Sequence, residues 1–150
     1  DVERAIYWLD QMGQMGVTPN TISYNAVIDA CAKGGDLASA ELCLERMRED
    51  GELTPDIISY NAVIDACAKA GAVDRAELWL GRIVNEDIGP DVISYTAVVN
   101  ACAQCGMYHR AERWLAEMER RGIAPNVFSY NAAIHAQVSG EVGEDEQVVL

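Results

Sequence analysis

The eleven residues Ser-Tyr-Asn-Ala-Val-Ile-Asp-Ala-Cys-Ala-Lys occur at positions 23–33 and again, unchanged, at 59–69. A third version runs Ser94-Tyr95-Thr96-Ala97-Val98-Val99-Asn100-Ala101-Cys102-Ala103-Gln104, and a fourth opens at Ser129-Tyr130-Asn131. The four tyrosines, Tyr24, Tyr60, Tyr95 and Tyr130, stand 36, 35 and 35 residues apart, and the one extra residue falls in the turn Gly51-Glu52-Leu53-Thr54-Pro55. Repetition at this interval constrains the fold strongly: each copy must meet the same environment, so the units stack one on the next instead of sharing a single irregular core.

Within each unit the apolar residues recur at helical spacing. Tyr24, Val27, Ile28 and Cys31 form one stripe, and Ala40, Leu44 and Met47 form a second. The second stripe returns as Ala76, Leu80 and Ile83 and as Ala111, Leu115 and Met118. Steps of three and four place each set on one face of a helix. Pro19-Asn20, Pro55-Asp56, Pro90-Asp91 and Pro125-Asn126 each stop one helix and supply an N-cap for the next. Gly34-Gly35, Gly71 and Gly106 divide the two helices inside a unit. Two antiparallel helices cannot bury both stripes alone. The pattern therefore predicts an all-α fold, an α-solenoid of stacked antiparallel helix pairs whose hand it leaves open. Ala5, Leu9 and Met12 repeat the second-helix stripe, so the array is expected as a half repeat 1–20, repeats 21–56, 57–91 and 92–126, and a partial repeat 127–138. Residues 139–150 lose the stripe and read as an acidic tail or a cap for the open end of the stack.

Charge narrows the choice of partners. The 150 residues carry 24 acidic and 11 basic side chains, a net charge of −13. That total disfavours nonspecific binding to nucleic acid or anionic membrane. Its distribution matters more: spans 21–33, 57–69 and 92–104 hold Asp29, Asp65, Lys33 and Lys69 and sum to zero, so the excess acid lies on second helices and at the C-terminus. No apolar run reaches membrane-spanning length, and the first residues lack a signal-peptide layout, so any address segment is expected outside this sequence. Five cysteines without paired spacing argue against a disulfide framework.

A 35-residue helical pair that opens on Ser-Tyr-Asn, closes its first helix with Ala-Lys-Ala-Gly and ends its second on Met-x-x-x-Gly-x-x-Pro-Asp resembles the pentatricopeptide repeat. The resemblance covers residues 1–138. It departs from the pattern at Asp87, where the turn before the proline usually has Gly, at the insertion near Glu52, and at the decayed end. Members of this family are mostly organellar proteins of plastids and mitochondria that bind single-stranded RNA, one base per repeat. The resemblance implies that the residue after the Tyr and the residue after the Pro read a base edge together. Asn25 with Asp56 and Asn61 with Asp91 then look like uridine readers, Thr96 with Asn126 like an adenosine reader, and Asn131 suggests a pyrimidine; Asn20 holds the corresponding place ahead of the first full repeat. The residues two before each Tyr, Ile22, Ile58, Ile93 and Phe128, would flank the bases, and Lys33 and Lys69 would approach phosphates. A sequence like 5′-UUA is the expected ligand.

The residues themselves admit plainer readings. Asn25, Asn61, Thr96 and Asn131 hold one place off the apolar stripe, where an amide offers both donor and acceptor to a base edge, or merely completes a helix start. Asn20, Asp56, Asp91 and Asn126 are needed as N-caps whatever the chain binds. Asp29 and Asp65 precede Lys33 and Lys69 by four residues, a helix-stabilising spacing that competes with phosphate contact. Cys31, Cys67 and Cys102 read as small core residues. Cys102-x-x-Cys105 has the spacing of half a zinc site with no second pair to complete it, so neither metal nor cofactor is expected. Trp8, Trp79 and Trp114, replaced by Cys43 in one unit, read as packing between repeats. His109 and His135 stand apart from any nucleophile at repeated spacing, and no catalysis is expected. Two functions remain: a non-catalytic RNA-binding module of an organellar RNA-processing or translation factor, or a protein scaffold of a large organellar assembly, docked through acidic residues such as Glu41, Glu45, Glu49 and Glu77.

Overall fold

Proline followed by Asn or Asp sets the start of each first helix. Asn20, Asp56, Asp91 and Asn126 accept the backbone N–H of Ser23, Ser59, Ser94 and Ser129 at 2.9–3.0 Å. The same serines accept the N–H of the capping residue in return, so two backbone donors left over by helix geometry are satisfied at every start. The computed structural model describes residues 1–147, with side chains through residue 138, as eight helices and no strand. These are α1 (Val2–Gln14), α2 (Thr21–Gly34), α3 (Leu37–Glu49), α4 (Ile57–Lys69), α5 (Val73–Asn85), α6 (Val92–Gln104), α7 (Tyr108–Arg120) and α8 (Val127–Gln147). The all-α solenoid expected from the stripes is the fold observed, and none of its described helices is long and apolar enough to cross a membrane.

The helix ends follow one geometry. After α7, Gly122 takes φ 76° and the N–H groups of Gly122 and Ile123 reach back to Glu119 and Met118. After α5, Asp87 occupies the same place at φ 56°, with Asp87 and Ile88 bonding back to Val84 and Ile83. A side chain in this left-handed region meets steric resistance that glycine escapes, and Asp is among the residues that tolerate it best. The departure noticed in sequence is thus a substitution into an unchanged turn. α8 does not stop where the stripe fades at Val138 but continues as helix to Gln147. The side chains of 139–147 and residues 148–150 lie outside what is described, and with them the expected cap.

First helices carry the core. α2, α4, α6 and α8 pack in sequence against one another, α3, α5 and α7 each pack on the first helices before and after them, and α1 packs on α2. α3, α5 and α7 do not touch as helices, so the stack is tighter along the first-helix side, its inner side, than along the second-helix side, its outer side. Ile28, Ile64, Val99, Leu44 and Leu80 have no exposed surface. Each such aliphatic side chain contributes roughly 1.5–3 kcal/mol by burial. Cys31, Cys67 and Cys102 are fully buried and free of disulfides. Burial pushes the thiol of Cys67 up to about 12 and those of Cys31 and Cys102 up to about 11, which keeps them protonated and unreactive at neutral pH.

Long polar side chains bridge the gap between second helices. Glu41 accepts from Arg75 Nε at 2.8 Å and from the indole N–H of Trp79 at 2.7 Å. One repeat later Glu77 accepts from Arg110 Nη2 and from Trp114 Nε1, both at 2.6 Å. Glu45 pairs with Arg82, whose guanidinium lies 4.5 Å from the Trp79 ring centre. Trp79 and Trp114 therefore join repeats, as their register implied, whereas Trp8 at the N-terminal end is 59% exposed and rests on Tyr7.

Replacing Asp87 with Gly removes the steric cost without moving the turn, at the expense of a more flexible unfolded chain. The expected net result is a gain of about 0.5 kcal/mol, read as a higher midpoint in urea unfolding with unchanged slope. A loss of stability would mean that the Asp87 side chain makes a contact beyond the turn.

Candidate functional site

Two residues on a helix are about 200° apart around its axis. With Tyr24, Tyr60 and Tyr95 turned into the core, the residue two places earlier is driven outward. Ile22, Ile58 and Ile93 are accordingly 76%, 63% and 61% exposed, and Phe128 at the same register is 70% exposed beside a Tyr130 that is itself exposed. Scattered surface apolar residues need no explanation, but four at one register along one face form a row that core packing does not require.

Between successive members of this row lie the polar side chains singled out in sequence. Asn25 Nδ2 donates to Asp56 Oδ1 at 3.2 Å, and Asn61 Nδ2 donates to Asp91 Oδ1 at 3.1 Å. The capping serine of the later helix completes each cluster: Ser59 Oγ lies 2.5 Å from Asn25 Oδ1 and 2.9 Å from Asp56 Oδ1. Ser94 repeats this at 2.6 Å from Asn61 and 2.9 Å from Asp91. One hydroxyl proton serves two oxygens, so it is shared between them. Beyond these bonds the Asn amide carries a second N–H and the Asp a second carboxylate oxygen, a donor beside an acceptor; the Asp91 carboxylate also draws on the Ile93 backbone N–H.

The third interface differs. Thr96 Oγ1 meets Ser129 Oγ at 2.7 Å, and Ser129 rather than Thr96 contacts Asn126. Asn20 is occupied with Ser23 at the start of α2, and Asn131 is exposed on α8. Lys33 and Lys69 each hold the aspartate one turn earlier at 2.6 Å, with their side chains 71% and 50% exposed. These lysines can give up the aspartate for another anion, because an exposed i,i+4 pair contributes only a few tenths of a kcal/mol and exchanges partners easily.

A cleft of about 560 Å³ opens at the third interface, lined by Ile93 and Phe128 with Thr96, Asn126, Asn131 and Asn100. Asp65 and His135 also line it. Asn100 and His135 were missed as site residues in sequence, although the signal was present: Asp29, Asp65, Asn100 and His135 recur five residues after each Tyr, one turn beyond the Asn and Thr row. Cys102 is buried while Cys105 is exposed with its thiol 3.5 Å from the Gly71 carbonyl. No group of three or more potential metal ligands gathers among the described residues.

The carboxylates of the clusters are tuned by this geometry. Burial alone would raise the pKa of Asp56 and Asp91, but hydrogen bonds from the Ser59 and Ser94 backbones and hydroxyls, and from the Asn25 and Asn61 amides, outweigh it and hold both below the ordinary aspartate value. They remain ionised and accepting at neutral pH.

Comparison with known proteins bears on the fold and the family. The family model described as pentatricopeptide repeat domain matches residues 2–70 and 80–139, and that described as PPR repeat family matches 55–104. Among solved structures, the pentatricopeptide repeat protein PPR10 from maize is similar at TM-score 0.84 and 25% identity, over 97% of this chain and 21% of that one. PPR10 in complex with an 18-nt psaJ RNA element is similar at TM-score 0.82 and 25% identity, over 99% and 22%. The PPR domain of Arabidopsis thaliana protein-only RNase P 1 in complex with tRNA shares the fold at TM-score 0.80 and 16% identity, over 96% and 76%. The chain thus spans about a fifth of the length of PPR10. No curated protein matches it in sequence.

A depressed aspartate pKa stabilises the fold above the unfolded value of about 3.9, and that contribution is lost as pH falls through the lower folded value. The double variant Asp56→Asn/Asp91→Asn keeps capping side chains of the kind found at Asn20 and Asn126 but cannot titrate there. Its melting temperature is expected to fall less steeply than that of the parent below about pH 4. Parallel acid titrations of the two proteins would refute the assignment of these two carboxylates.

Proposed function

Because the chain belongs to the pentatricopeptide repeat family, we propose that it is a non-catalytic module that binds single-stranded RNA along its first-helix face, one base at each repeat interface, within an organellar RNA-processing or translation factor. The observation that carries this reading is the exposed row Ile22, Ile58, Ile93 and Phe128 alternating with hydrogen-bonding clusters at the same interval. A base slotted between two members of the row would bury both its faces, and the polar cluster between them would meet its edge. The similarity to a repeat protein solved with an RNA strand supports RNA as the ligand.

The chemistry of each cluster supports a base preference. Uracil offers an N–H flanked by carbonyl oxygens, which the second carboxylate oxygen of Asp56 or Asp91 and the second amide N–H of Asn25 or Asn61 complement. At the third interface a hydroxyl and an amide replace amide and carboxylate, and we assign it to adenine. Asn131 would favour a pyrimidine, giving 5′-UUA followed by a pyrimidine. Lys33 and Lys69 would exchange their aspartate partners for phosphates. Location in a plastid or mitochondrion is part of the proposal and rests on family membership. The scaffold alternative has less to draw on, because Glu41, Glu45 and Glu77 are engaged by arginines of the adjoining repeat.

Oligonucleotides containing 5′-UUA are expected to bind more tightly than scrambled ones of equal composition, by an amount set by roughly 1–3 kcal/mol per stacked base before ordering costs. Two exchanged lysine contacts predict a log–log salt slope of about −1.4. Equal binding of scrambled RNA would remove the base assignments, and no binding at low salt would remove the function.

Thr96→Asn gives the third interface the asparagine of the first two, set opposite Asn126 in place of an aspartate. Its preference there is expected to move from adenine toward a pyrimidine, with stability changed by no more than about 0.5 kcal/mol. A collapse in melting temperature would make Thr96 a structural residue instead.

A further inference from the structure

Two consecutive repeat interfaces differ on their outer side. Between α3 and α5, the Tyr60 hydroxyl donates to Glu86 Oε2 at 2.5 Å, Arg48 holds the other oxygen of that carboxylate at 2.5 Å, and Glu45 links Arg48 to Arg82. The next interface, between α5 and α7, keeps the tyrosine as Tyr95 and changes every other member. In repeat register Gly81 stands for Glu45, Val84 for Arg48, Glu117 for Arg82 and Arg121 for Glu86. Glu117 and Arg121 now pair along α7 at 2.7 Å and no longer span the gap.

The exchange leaves a cleft of about 340 Å³ walled by Gly81, Val84 and Trp114, with Arg113, Glu117 and Arg121 among its other lining residues. A Cβ on Gly81 would meet nothing within 4 Å. Tyr95 also lines the cleft; it is fully buried, and its hydroxyl has no hydrogen-bond partner among the described residues. A buried hydroxyl left unpaired forfeits its hydration without return, so its retention here calls for a reason.

We propose that this cleft binds a carboxylate carried on a short apolar stem, one carboxylate oxygen accepting from the Tyr95 hydroxyl as Glu86 does from Tyr60. The stem would lie against Val84 and the Trp114 ring. Local charge favours an anion despite the acidity of the whole chain. Arg113 has no ion-pair partner among the described residues, and the one carboxylate at the cleft, Glu117, is already matched by Arg120 and Arg121. Burial raises the pKa of Tyr95, which keeps it a donor at neutral pH. The volume sits at the low end for ligand pockets, room for about one ring or a short chain. A free organic acid and a glutamyl side chain of a peptide share this chemistry. The site is on the outer face and does not depend on RNA binding.

The test titrates the isotopically labelled 150-residue chain with 3-phenylpropionate, its uncharged amide, and a blocked glutamyl dipeptide, followed by NMR. The acid is expected to shift the Gly81 amide and the Trp114 indole at about millimolar concentration, and the amide to bind far more weakly because the charge-assisted bonds are gone. Tyr95→Phe should weaken the acid roughly fivefold, the loss of one hydrogen bond. The double variant Val84→Arg/Arg121→Glu rebuilds the Arg48–Glu86 arrangement inside the cleft and should abolish binding while circular dichroism shows the helices intact. Tighter binding of the dipeptide would make the source a protein side chain, and tighter binding of the acid a small metabolite; either supports the site. No shift at about 10 mM acid, equal affinity for the amide, or unchanged affinity in Tyr95→Phe would overturn it.

Discussion

One serine hydroxyl at the third position of each first helix ties the levels of this structure together. Ser59 and Ser94 are fully buried, accept the backbone N–H of their capping aspartate, and lie within hydrogen-bond reach of that aspartate and of an asparagine one repeat earlier. The bond that starts a helix is therefore also the bond that registers it against its predecessor. Changing the serine would unseat the cap, leave a half-buried aspartate with fewer donors, and release the asparagine, three faults from one atom. This explains why the Asn and Asp of the candidate site are not an independent ornament on a scaffold: their positions are by-products of the way one repeat recognises the next.

The fold was legible because its information is local and duplicated. The stripes Tyr24, Val27, Ile28, Cys31 and Ala40, Leu44, Met47 state which faces are buried, and the Pro-Asn and Pro-Asp pairs state where helices begin. The row of apolar wedges was available only through family resemblance, since in sequence Ile22 differs in no way from an ordinary core isoleucine. Its exposure follows from the angle it makes with Tyr24, which periodicity implied but did not single out. Asn100 and His135 were hidden for another reason. Their register is occupied by aspartates in the earlier repeats, where the pairing with Lys33 and Lys69 supplied a sufficient explanation of the position.

The acidic total reads differently once the stack is built. Read as composition, −13 suggests a surface that awaits a basic partner. In the structure, Glu41, Glu45 and Glu77 face arginines of the following repeat, and Trp79 and Trp114 add indole donors to two of them. Much of the second-helix acid is thus internal wiring between units. Sequence could not reveal this, because partners 33 to 38 residues apart become neighbours only once the stack is built.

The unequal packing of the two sides has a mechanical consequence. First helices meet through rigid, interlocked apolar side chains, while second helices are joined by arginine and glutamate arms with many rotatable bonds. Bending the stack about an axis along the first-helix side would stretch only the compliant arms and leave the spacing of the inner row nearly fixed. The array is in this sense a spring with an inextensible inner edge: its pitch can yield under load, and added salt should soften it, while the interval between successive inner clusters is conserved.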